Sequence, residues 1–89
     1  MDNYEVQYTA EHAIRLQYER AVEEGLPTDK ASILQAAILE LKDSLENSKA
    51  LHVSMPQSNV DFSGLAEMQG QALLAVTGQL ADVKKYGAA

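Results

Sequence analysis

Cysteine is absent from the chain, and with it go disulfides, thiolate metal sites and thiol nucleophiles. Histidine is scarce. His12 and His52 lie far apart, and neither has a second ligand at metal-binding spacing. Long apolar runs are missing too: the longest uncharged stretch, Met68 to Ala81, is 14 residues and holds three glutamines. A membrane-spanning helix needs about 20. The start, Met-Asp-Asn-Tyr-Glu, is acidic and has no apolar core behind it, so no signal peptide is expected and a cytoplasmic setting is. Positive charge is the last shortage. Seven Lys and Arg face 13 Asp and Glu, a net charge of −6, with no basic stripe. That balance repels phosphate backbones and argues against direct nucleic-acid binding. The acidic excess sits at the front, where residues 1–25 carry six carboxylates against Arg15 and Arg20. It either solvates a helix face or meets a basic protein surface.

A chain of 89 residues makes a single domain. One so short buries only about 60–65% of its unfolded surface, and small domains add disulfides, metals or partner chains to compensate. With the first two routes closed, association with itself or with another protein is the expected remedy.

Three stretches carry helical periodicity. From about Thr9 to Glu24, Ala10, Ala13, Ile14, Tyr18, Ala21 and Val22 recur at spacings of three and four. Thr9 is the expected N-cap, with Glu11 in the first turn, and Gly25 followed by Pro27 is a stop signal. The second helix, about 29–51, starts on Thr28 or Asp29. Ile33, Leu34, Ala37, Ile38, Leu41 and Leu45 give it a broad apolar face, and Leu34, Ile38, Leu41 and Leu45 follow the 4-3-4 spacing of a coiled-coil seam. Pro56 blocks its continuation. Residues 53–62 read as a loop that packs down through Met55, Val60 and Phe62. The third helix, about 63–86, is capped by Ser63 or Asp61 and carries Leu65, Leu73, Val76, Leu80 and Val83 on its stripe. Lys84 and Lys85 suit its final turn, and Gly87 ends it. Gly70 and Gly78 lie inside this helix at a cost of about 1 kcal/mol each. They mark either close approach of another helix or a weakly stable helix.

The expected fold is therefore all-α: a short N-terminal helix and an antiparallel hairpin of two longer ones, packed as an oligomeric bundle. Residues 1–8 form an arm before the domain proper, 9–87. The candidate oligomer or partner interface is Leu34, Ile38, Leu41, Leu45, Leu73, Val76, Leu80 and Val83, with Gly70 and Gly78. Tyr4, Tyr8 and Tyr18 are candidate partner contacts, since tyrosine joins contact area to a polar tip. Tyr4, Val6 and Tyr8 also alternate like a short strand, and the arm either packs on its own bundle or stays loose.

Chemistry-bearing patterns are few. Glu23 and Glu24 are adjacent, which on a helix turns them about 100° apart. Glu19 and Glu23 lie one turn apart on a solvated acidic face beside Arg20. The serines have no glycine elbow around them, and the glycines form no phosphate-cradling G-x-x-x-x-G-K. No catalytic, cofactor-binding or metal-binding residue is assigned, and a non-enzymatic protein is expected.

The run Asp29-Lys30-Ala31-Ser32-Ile33-Leu34, with Ala37, Ile38, Leu41 and Lys42, resembles the second helix of helix-loop-helix dimerisation domains. The resemblance implies an association helix in a parallel four-helix bundle. Upstream the pattern departs from that family: the first helix is acidic rather than basic, and only Gly25 to Thr28 separates the two. The leading functional expectation is a small regulator, adaptor or inhibitor of bacterial or phage type that binds a protein. The alternatives are a subunit of a helical polymer or secretion-type assembly, and an oligomer that sequesters a small ligand with Arg15, Arg20 or Lys30.

Overall fold

The computed structural model describes residues 3–57 and 59–87, which form three α-helices and no strand. They are α1 (Asn3–Glu24), α2 (Lys30–Ser54) and α3 (Phe62–Tyr86).

The first helix starts well before Thr9, so the separate arm over residues 1–8 is corrected. Of that segment, Met1 and Asp2 lie outside the described residues. Glu5 occupies the first turn, where a carboxylate suits the positive end of the helix dipole. Thr9 is an interior residue whose hydroxyl donates to the Glu5 carbonyl at 2.8 Å. Tyr8 and His12, one turn apart, stack with ring centroids at 5.8 Å and an interplanar angle of 7°. The end of α1 follows the sequence expectation. Gly25 takes φ +70°, and the Leu26 N–H reaches back to the Ala21 carbonyl at 2.8 Å, the six-to-one bond of a Schellman cap.

Asp29 caps α2, its Oδ2 accepting from the Ser32 N–H at 3.1 Å. Those hydrogen bonds from Ser32 hold its carboxyl below the ordinary aspartate range. Asp61 caps α3 in the same way, Oδ1 accepting from the Gly64 N–H at 2.9 Å. A Cβ at residue 64 would collide with that carboxylate, so the glycine there makes room for the cap. The segment expected to pack down leaves Met55 and Val60 exposed instead, while Phe62 is the first residue of α3. Among the described residues no helix is long and apolar enough to cross a membrane.

One core joins the three helices. Ala10 and Ala13 from α1, Leu34, Ala37 and Leu41 from α2, and Ala72, Val76 and Leu80 from α3 are buried together. Half of these are alanines, so the helices fit through small side chains and only Leu34 and Val76 are large and wholly enclosed. Ser48, buried on α2, donates to Gln69 Oε1 on α3 at 2.8 Å and ties the two longest helices together. The chain measures 46 × 27 × 18 Å with a radius of gyration of 14.3 Å. A compact domain of this length has a radius of about 12 Å.

Candidate docking groove

The seam residues expected at an interface face the chain's own core. Leu34, Leu41, Val76 and Leu80 are buried there, and Ile38, Leu73 and Val83 pack against it half-buried. Leu45 is half-buried as well. Gly70 and Gly78 have nothing within 4 Å of a Cβ position, so no neighbouring helix in this chain approaches them closely. Tyr4, Tyr8 and Tyr18 are exposed on α1. Tyr18 and Val22 were expected on the buried stripe of α1; both point outward, and Gln17 takes the buried place between Ala13 and Ala21. The small side chains at 10, 13 and 21 are buried against the neighbouring helices, and Tyr18 lines a hollow of about 310 Å³ with Ile14, Ile33 and Leu34.

Gln17 stands apart from the rest of the interior. It is only 5% exposed, and its Nε2 is a buried donor without a hydrogen-bond acceptor. A buried polar group left unpaired costs about 1–3 kcal/mol, so it needs a reason. The surroundings supply one. Gln17 lines a groove of about 520 Å³ where the three helices converge. The α1 wall adds Arg20 and Ala21, followed by Leu26 and Pro27 of the connection. The α2 wall is one helical stripe, Ser32, Gln35, Ala36 and Leu39, with Ala31 and Ile33 beside it, and α3 closes the groove with Leu80 and Lys84. Leu26 and Leu39 are both more than half exposed. The groove is thus apolar, and the unpaired Gln17 Nε2 lies behind its wall, closed to solvent. Two cations and no carboxylate stand among its walls, on a chain whose net charge is −6.

Beside the groove, on the same helix, Leu16, Glu19, Arg20, Glu23 and Glu24 line a second hollow of about 310 Å³. Leu16 is 44% exposed. The last turn of α1 holds no basic residue, and Glu23 and Glu24 lie where the helix dipole already concentrates negative charge. Among the described residues Arg20 is the cation within ion-pair reach, its Nε 4.0 Å from Glu24 Oε2 with both side chains more than half exposed. A pair so placed contributes little.

Comparison with known protein families, with curated proteins and with solved structures gives no match for this chain. The apolar side of residues 29–42, which carry the helix-loop-helix likeness, is turned into the chain's own core through Leu34, Ala37, Ile38 and Leu41. Among the described residues no group of three His, Cys, Asp or Glu is placed to hold a metal ion. Gln17 escaped the sequence reading because a mid-helix glutamine passes for a solvated residue. The signal was nonetheless there: position 17 continues the 10, 13, 21 stripe of alanines at spacings of three and four.

Proposed function

We propose that this protein is a small non-enzymatic interaction module that works through its helical surfaces, as a homo-oligomer and against another protein. The regulator, adaptor or inhibitor class fits this reading. In it, α2 and α3 run as an antiparallel hairpin, with Ser48 meeting Gln69 near one end and Ile33 and Leu80 lining the same groove near the other. A cytoplasmic setting belongs to the same proposal, since a cysteine-free chain needs no oxidising compartment to fold.

The observation that carries the proposal is surface left uncovered. The chain exposes 6179 Å². A folded monomer of 9.7 kDa exposes about 5,100 Å², so roughly 1,100 Å² is in excess. Two copies that each covered most of this excess would reach the ~1,600 Å² of a standard stable interface. Exposed Leu16, Leu26, Leu39, Leu51, Val53 and Leu74 give that surface its apolar character.

Sedimentation equilibrium across a dilution series tests the reading. A fixed small oligomer that dissociates on dilution is the expected result. A monomer at every concentration removes self-association, and growth into long particles replaces the module with a polymer subunit.

A further inference from the structure

We infer that the outward face of α1 is the seat for a second copy of this chain, whose own α1 lies against it antiparallel, about a two-fold axis level with Ala13. The inference rests on the self-association just proposed and names the surface that performs it.

Ala10, Ala13, Gln17 and Ala21 turn one side of α1 into the core. At about 100° per residue, Tyr4, Tyr8, Glu11, Arg15, Tyr18 and Val22 gather within about 80° on a face that points roughly 135° away from that side. All six are exposed. Their spacing is 4-3-4-3-4, that of a coiled-coil seam, and Tyr4, Tyr8, Tyr18 and Val22 are each more than half exposed. The middle of the seam is charged. Neither Glu11 nor Arg15 has an ion-pair partner among the described residues of the single chain.

Those charges fix the direction of pairing. Side by side in parallel, Glu11 would meet Glu11 and Arg15 would meet Arg15. Antiparallel and centred on residue 13, Glu11 of each copy meets Arg15 of the other, Tyr8 meets Tyr18, and Tyr4 meets Val22. The two-fold makes every such contact twice and closes the dimer. Tyr8 of the second copy then arrives at the hollow beside Tyr18, whose lining includes Ile14, Ile33 and Leu34. The like charges this register brings nearest, Glu5 and Glu19 of opposing copies, stand farther apart on the outer edge, with His12 between them. Area agrees with the pairing. A tyrosine offers about 200 Å², so the three half-open rings leave roughly 300 Å² of each chain to be covered. With Val22, Glu11 and Arg15 added, two such faces reach the ~1,000 Å² at which a specific interface begins.

A charge-exchange experiment read by sedimentation equilibrium tests this. Glu11→Arg makes the centre of the face wholly basic, and Arg15→Glu makes it wholly acidic. Each variant alone faces like charge across both halves of the interface, and its dimer is expected to weaken on the order of tenfold or more. Mixed in equal amounts, a basic face meets an acidic one, and the dimer mass returns near the wild-type concentration. The double variant, Glu11→Arg with Arg15→Glu, exchanges the partners and is expected to dimerise as the wild type does. Circular dichroism checks that all three stay helical. A second readout leaves the charges alone: in this cysteine-free chain, Tyr8→Cys and Tyr18→Cys should cross-link on mild oxidation when mixed, and neither should cross-link by itself.

Single variants that dimerise as tightly as the wild type overturn the α1 face while leaving self-association standing. A mixture or a double variant that stays monomeric does the same, as does a Tyr8→Cys chain that cross-links to itself. A wild-type chain that is monomeric throughout ends both inferences together.

Discussion

Gln17 and Asp29 are the residues where local chemistry decides most. At Gln17 a buried amide lacks an acceptor in the single chain. Replacing it with methionine keeps the length and removes the donor. Gln17→Met is therefore expected to raise monomer stability by about 1–3 kcal/mol, read by urea unfolding at a protein concentration where the chain is monomeric.

Asp29 gives the chain a pH dependence with a definite sign. Its folded carboxyl lies below the ordinary aspartate range because Ser32 donates to it, whereas the unfolded one does not. The stabilisation is thus fully present above the ordinary aspartate value and is lost as pH falls through the lowered one. Thermal unfolding followed from pH 7 down into that acidic range should show this loss, and Asp29→Ala should be less stable at pH 7 with a flatter acid limb. An acid limb identical in the variant would assign the titration to other carboxylates.

Among elements, the three helices differ in how openly their sequences declare them. The apolar faces of α2 and α3 repeat large residues at helical spacing, and Gly25 with Pro27 and Pro56 punctuate the chain, so the helix count and both breaks were legible. The start of α1 was not. Tyr4, Val6 and Tyr8 alternate as a strand would, and Thr9 resembles a cap. Yet nothing in residues 3–8 opposes a helix, and the Glu5 and Tyr8–His12 interactions favour one. The seams were legible as apolar but not as to what covers them, because periodicity shows which face is buried and not which chain buries it. The groove was legible only in part: Arg20 stood out by charge, whereas the convergence of three helices around Gln17 depends on tertiary placement.

The glycines separate two kinds of helical position. Gly25 sits at φ +70°, so Gly25→Ala should destabilise by about 1–2 kcal/mol. Gly78 has ordinary helical geometry and open space at its Cβ position, so Gly78→Ala should stabilise by about 1 kcal/mol. Denaturant midpoints of the two variants check both signs. A Gly78→Ala chain that lost its oligomer would instead place that glycine at a contact between copies.

As a whole molecule, the protein is thin and extended for its mass, with a core half of which is alanine and only two large side chains fully enclosed. Such a core stabilises modestly. The surface it leaves open includes an apolar groove flanked by Arg20 and Lys84. Both properties follow from one feature of the sequence: α1 spends its buried positions on small residues and one glutamine, and carries Leu16, Tyr18 and Val22 outside.

Sedimentation equilibrium of the wild-type chain from high to sub-micromolar concentration therefore tests the account most directly. A mass that falls from that of two chains to that of one on dilution, with the transition moved to higher concentration by added salt, is the predicted result. A single-chain mass at every concentration would contradict it.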